Sequence, residues 1–376
     1  MAPRFELFVA CQPGLEALLA GEIAALGEEP RALAGGVAFT GDARAAMRAC
    51  LWLGCASHLS LRLAEFRCRA PGELERKSRE LPWREWLRPE VSLAVRASSR
   101  ASRVYHTGLI AERVRSAIAA ELRSAPPAVT SANEAAAHVG VRFQRDVCTL
   151  SLEATSTPLH RRGYRLAAAK APLREDVAHA LVLASGFTGA DALLDPFCGS
   201  GTIAIEAAAL ALGLAPGRLR EPALRHLALF DENAWRAVAT ASHSGAPAPR
   251  IVAGDRDDGA IAAARANAER ADVAHAIAFS RCAVTKQPWL DAPASGPERG
   301  VLVTNPPFGR RVSEARKLET LYQAFGHRAA RLPGGWRVAL LAHDVRLARR
   351  TGLPLRAAFT TKHGGLSVTA LVSEAL

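Results

Sequence analysis

Residues 193–208 read LLDPFCGSGTIAIEAA. Apolar residues of buried-strand type run into a loop bearing Gly199 and Gly201, and the loop opens onto helical spacing, so the segment reads as strand, glycine turn and helix. Glycines at such a turn let the backbone pass close to a ligand at a helix N-terminus. Gly199, Gly201 and Ala204 also satisfy the dinucleotide fingerprint G-x-G-x-x-G/A, which wants an acid about 20 residues further on, at the end of the next strand. The residue near that spacing, Glu221, sits in LREPAL with no strand before it. Asp255 is the better acid. It ends the apolar run RIVAGD (250–255) and precedes the helical GAIAAARANAER (259–270), where a carboxylate can accept two hydrogen bonds from a ribose diol. A plain helix N-terminal charge is the other use open to it.

Working outward, helices and apolar strands alternate from Arg174 to the end: helices at 174–185, 202–213, 258–270 and 315–331, and strands ALLD, RIVAGD, HAIAFS, GVLVTN and WRVALLA. That grammar predicts a mostly parallel, doubly wound α/β sheet with its ligands beyond the carboxyl ends of the strands. Residues 214–249, with the turn-rich HSGAPAPR, form an insertion.

The strand VLVTNPPFGRR (301–311) ends in Asn305-Pro306-Pro307-Phe308. Two prolines fix the backbone there and leave carbonyls unpaired by any ladder. An exocyclic base amine is a poor nucleophile because its lone pair is delocalised. The Asn305 side-chain oxygen and the Pro306 carbonyl can hold its two hydrogens and align the nitrogen for in-line attack on a sulfonium methyl. Phe308 offers a face on which an unpaired base can stack. A rigid strand-exit turn is the bland reading of the same four residues.

The first half has strand-like RFELFVA, GGVAFTGD, EVSLAVRAS and VGVRFQRDVCTLSLEA, helical GLEALLAGEIAALG and GLIAERVRSAIAAELR, and a helix leading into a strand over residues 42–66. It carries no acid, base and nucleophile together, so a binding role is expected of it. A polar, basic joint bounded by Pro158 and Pro172 separates the halves. At 376 residues and a formal charge of +12 the chain is long enough for two or three domains, and an acidic partner, nucleic acid first, suits it. Nearly all the cations are arginine, which both phosphate contacts and a GC-rich genome would produce. The seven scattered cysteines contain no CxxC pair, arguing against a disulfide framework and against a zinc site. No uncharged apolar stretch reaches the roughly 18 residues of a membrane span, and the N-terminus lacks a signal-peptide layout. A cytoplasmic protein without bound metal is expected.

The chain resembles the THUMP-domain guanine-N2 RNA methyltransferases, most closely the bacterial large-subunit ribosomal RNA enzymes. The resemblance is carried by FVACQPGLEALLAGEIAALG, GGVAFTGD, LHRRGYR, APLREDVAHALV, LLDPFCGSGTIAIEAA, GDRDDGAIAAARANA, TNPPFGRR, PGGW and KHGGL. It implies a ferredoxin-like segment (1–45), a THUMP RNA-binding domain (46–155), a linker (156–172) and a class I methyltransferase domain (173–376). It further implies S-adenosylmethionine as cofactor, held by Asp195, Cys198, Gly199, Ser200, Gly201 and Thr202 around its methionine end and by Asp255 at its ribose, with Asn305, Pro306, Pro307 and Phe308 as the amine site. Arg161, Arg162 and Arg165 of HRRGYR are expected to face RNA, unless they are only a solvated linker. The chain departs from the family in two places. Ala283 stands where an acid usually binds the adenine amine, and Phe308 stands where close relatives have tyrosine. Transfer RNA as substrate, adenine N6 as acceptor, and a silent RNA-binding homologue are the competing expectations.

Overall fold

The computed structural model describes residues 3–127, 135–166, 172–240, 250–287, 290, 299–308 and 315–376. Most of HSGAPAPR, residues 309–311 of the NPPF motif and residues 167–171 of the joint lie outside them. The chain divides into two compact units, one of residues 1–10, 23–159 and 221–241, the other of residues 11–22, 160–220 and 242–376.

The first unit is built on a seven-stranded sheet. In chain order it uses β1 (Phe5–Cys11), β2 (Arg31–Leu33), β3 (Gly36–Gly41), α2 (Ala43–Trp52), β4 (Ala56–Arg67), α3 (Pro71–Arg79), β5 (Leu93–Arg100), α4 (Thr107–Leu122), β6 (Ala137–Gln144) and β7 (Val147–Glu153), while α1 (Glu16–Ala25), which follows β1, belongs with its residues 16–22 to the second unit. The strand order is β2-β3-β1-β4-β7-β6-β5. β5 and β6 are parallel, as a helical crossover through α4 requires, and β6 and β7 form a two-residue hairpin. Alternation predicts β7 well: its residues are alternately half-buried and buried. The insertion is not a bare loop. It supplies α7 (Glu232–Ala239) to this unit, with Leu227 bridging Leu87 and the Leu224 amide donating to the Ala154 carbonyl at 2.7 Å.

The second unit has α5 (Glu175–Ala184), β8 (Ala192–Asp195), α6 (Thr202–Ala211), β9 (Ile251–Asp255), α8 (Asp258–Arg270), β10 (Ile277–Arg281), β11 (Arg299–Thr304), α9 (Ala315–Ala329), β12 (Gly335–Ala342), α10 (Val345–Arg349), β13 (Arg356–His363) and β14 (Leu366–Val372). The sheet runs β10-β9-β8-β11-β12-β14-β13. Its first five strands are parallel and β13 and β14 antiparallel. The parallel strands are covered on both faces, which is why β8 and β11 read as unbroken apolar runs and are buried throughout but for Arg299. Leu194, Leu302, Tyr322, Phe325, Trp336 and Leu340 belong to the core on one side of the sheet. The order turns back between β8 and β11, so the crevice forms at their carboxyl ends, next to Asp195 and Asn305. No helix among the described residues is long and apolar enough to cross a membrane.

Candidate active site

The glycine turn after β8 is held from behind. Cys198 donates its amide to the Gly254 carbonyl at 2.9 Å, and the buried Asn267 amide of α8 donates to the Ser200 carbonyl at 3.0 Å. Gly201, at φ 83° before α6, packs so closely on Ala264 that a Cβ would stand 3.0 Å from that methyl; both space and conformation require glycine there. Gly199, at φ 52°, has open space where its Cβ would be.

Asp255 closes the turn. Its Oδ2 accepts from the Gly199 amide at 3.0 Å and its Oδ1 from the Asp257 amide at 3.0 Å. Each carboxylate oxygen keeps a lone pair for a ligand. Asp257, two residues on, caps α8 through the Ala260 amide, so the helix does not need Asp255 as its cap.

Asp195 is fully buried, and its Oδ1 accepts from the Thr304 hydroxyl at 2.7 Å and the Phe197 amide at 3.2 Å. Burial raises its carboxyl to about 7, more than these two donors lower it, and the Asp255 charge adds to the rise. Its Oδ2 is buried without a hydrogen-bond partner among the described residues. Asn305 Oδ1 is in the same condition. Orphaned buried acceptors carry a desolvation cost that a ligand's donors remove.

These groups border one cleft of about 930 Å³. Cys198, Gly199, Ser200, Thr202 and Asp255 line it on the β8–β9 side, with Arg256, Cys282, Ala283, Val284 and Thr285 beyond them. Asn305, Pro306, Pro307 and Phe308 line it on the β11 side, with Lys317, Leu318 and Leu321 of α9 and with His363, Gly364 and Leu366 of the β13–β14 hairpin. Asp195 and Gly201 do not reach the wall; they shape the turn from within. The Phe308 and His343 rings stand 6.4 Å apart at 56°.

A family model described as the RMKL-like methyltransferase domain matches residues 162–370. The chain belongs to this family. An RlmL ferredoxin-like domain model matches residues 6–59 of the same chain and a THUMP domain model residues 69–153. The chain is 34% identical, over 96% of its length, to the ribosomal RNA large subunit methyltransferase K/L of Syntrophotalea carbinolica, of which it spans 52%. It is 30% identical to a putative RNA methyltransferase of Synechocystis sp., covering 98% of this chain and 96% of that one. The crystal structure of a predicted N6-adenine-specific DNA methylase from Listeria monocytogenes superposes with a TM-score of 0.85 at 29% identity, covering 98% and 96% of the two chains. The chain spans about half the length of the curated large-subunit enzymes it matches.

The arginines of HRRGYR do not lie as expected. Arg162 is 2% exposed and lies 3.6 Å from Glu206 of α6, and Arg165 bonds Glu175 and the Leu173 carbonyl. Neither is free to meet RNA; only Arg161 is exposed. Around Glu206 lies a buried polar cluster that the sequence did not disclose. The Tyr164 hydroxyl donates to Glu206 Oε1 at 3.0 Å, and His179 Nδ1 is 3.2 Å from Glu206 Oε2. His179 Nε2 also meets Glu22 Oε1 at 3.1 Å. Burial alone would lower the imidazole, yet the two carboxylates carry it up to about 9. Glu206 in the otherwise apolar TIAIEAAALA and His179 in DVAHALVLA were the signals: charges placed where a helix is buried all round.

Proposed function

We propose that the chain transfers a methyl group from S-adenosylmethionine to the exocyclic N2 of a guanine in large-subunit ribosomal RNA. The observation that carries this is the pairing, in one cleft, of an unsatisfied Asn305 Oδ1 at the end of β11 with the Asp255–Gly199 turn. The volume falls within the range of small-molecule sites and leaves room for a base beside a cofactor.

The bound cofactor supplies an electrophilic methyl carbon on a sulfonium. Asp255 would accept from its ribose hydroxyls, Gly199 and Ser200 would let its methionine end approach the backbone, and buried Asp195 braces that turn from behind through the Thr304 hydroxyl and the Phe197 amide. Cys282 to Thr285 form the adenine side. Ala283 supplies no carboxylate there, so recognition rests on backbone groups and fit. Asn305 Oδ1 and the Pro306 carbonyl accept the two N–H groups of the base amine and fix the nitrogen in line with the methyl. Phe308 stacks on the base. As the N–CH3 bond forms the S–CH3 bond would break, the cofactor leaving as a neutral thioether, and the now cationic nitrogen would shed one proton to solvent; because that nitrogen becomes acidic only on transfer, no strong base is needed.

Support for ribosomal RNA as substrate comes from the curated relatives named for it and from the THUMP match. The test is mass-spectrometric mapping of modified nucleosides in RNA from a strain lacking the protein. Loss of N2-methylguanosine from one large-subunit position is expected. A loss confined to transfer RNA, or a loss of N6-methyladenosine, would replace this reading.

A further inference from the structure

With Arg162 buried and Arg165 half-buried in an ion pair with Glu175, other surface groups are candidates for an RNA contact, and one end of the first unit's sheet offers them. Tyr105 is 64% exposed, an unusual state for a large ring, and it stacks on His106 with centroids 4.3 Å apart and planes 34° apart. Both rings stand on the loop between β5 and α4. The register aligns the end of β5 with that of β6, Arg100 opposite Gln144, which brings this loop beside the β6–β7 turn.

The loop is fixed in place. The Ser99 hydroxyl donates to the carbonyl of buried Val104 at 2.8 Å, the Asp146 amide to Ser102 Oγ at 3.0 Å, and the Arg103 amide to Asp146 Oδ1 at 2.7 Å. The ledge is therefore preorganised, and a ligand need not order it.

The same end gathers cations. Arg100, Arg103 and Arg145 are exposed, and none of their guanidinium groups has a partner among the described residues. Arg145 and Asp146 form the two-residue turn at φ 52° and 62°, and Ala101 in the facing loop sits at φ 51°. Such a hairpin turn favours Asn-Gly, and here the Arg145 amide donating to the Arg100 carbonyl at 3.2 Å and the Asp146 amide donating to Ser102 Oγ hold it, with the Arg145 side chain exposed. Free arginines beside an exposed aromatic pair match single-stranded nucleic acid, whose phosphates pair with the cations and whose splayed base stacks on the ring. A duplex hides its base faces and would use the charge alone.

The geometry points to the Tyr105–His106 ledge as a stacking site for an unpaired nucleotide of the RNA substrate, with Arg100, Arg103 and Arg145 on the flanking phosphates. The inference rests on the reading of the chain as an RNA enzyme. The test titrates the full chain with a short labelled oligoadenylate and with an RNA duplex of equal length, following fluorescence anisotropy over a salt series. Tyr105→Ala should weaken oligoadenylate binding about tenfold, Tyr105→Phe should retain it, and duplex binding should hardly change. Arg100→Gln with Arg145→Gln should flatten the salt dependence for both RNAs. Equal oligoadenylate affinity for Tyr105→Ala and wild type overturns the ledge, as does an equal loss on the duplex. Because Tyr105 is exposed, its variants keep the fold. A wild-type chain that binds neither RNA sinks the RNA reading itself, an outcome distinct from failure of the ledge alone.

Discussion

The Thr304 hydroxyl donates to Asp195 Oδ1 at 2.7 Å, and both residues are fully buried. This bond joins the ends of β8 and β11, the strands that deliver the glycine turn and the NPPF motif. Thr304→Val leaves Asp195 with one donor fewer and should cost about 1–3 kcal/mol in urea denaturation. Burial raises the Asp195 carboxyl to about 7 from its ordinary 3.8, so the folded state holds this proton more tightly than the unfolded one and stability should fall as pH climbs from about 4 through 7. Asp195→Asn should flatten that fall in urea denaturation; a wild-type midpoint unchanged over the same window would show that the carboxyl is not raised.

Asn305→Ala should lower methyl transfer by about 100-fold or more, the usual effect of deleting one preorganised polar group at a reacting centre. Cofactor binding should persist, since the β8–β9 side of the cleft is untouched. Turnover within a few-fold of wild type would count against the amine site. Phe308→Leu should weaken transfer by about 1–3 kcal/mol, the worth of one base stack.

Arg162→Met should destabilise the second unit by about 3–5 kcal/mol, because it leaves Glu206 buried without its main counter-charge. An RNA-facing arginine would instead show a normal melting temperature and weaker RNA binding. Circular dichroism melting separates the two.

His179 makes the stability fall with rising pH. Its folded value of about 9 exceeds the ordinary 6.5, so its contribution is complete below about pH 6.5 and is lost as pH passes 9. His179→Gln should flatten the denaturation midpoint across that window. A wild-type midpoint independent of pH from 6.5 to 9 would show that the imidazole is neutral in the fold.

The parallel part of the second unit was legible because strands buried on both faces announce themselves by composition and their helices by period. Asp255 and Asn305 were legible because each ends such a strand. The hairpin wall was read only as the motif KHGGL. The outer strand β13 is mostly exposed, with little apolar alternation to find, although Gly364 and Gly365, at φ 55° and 82°, mark a tight hairpin turn. Arg162 misled for another reason. Its burial depends on Glu206, 44 positions away, and a polar segment read alone cannot reveal a partner that distant. The ledge at Tyr105 was equally silent, since exposure of one ring is decided by the packing of its neighbours.

β14 lies between β12 and β13 in space but follows both in the chain. On a ribosome β12, with its run of apolar residues GWRVALLA, emerges with one edge unpaired and stays so until residues 366–372 are made. A translation product stopped in that interval would display a bare, sticky border open to any passing strand. Truncations there should collect in inclusion bodies rather than yield a slow enzyme.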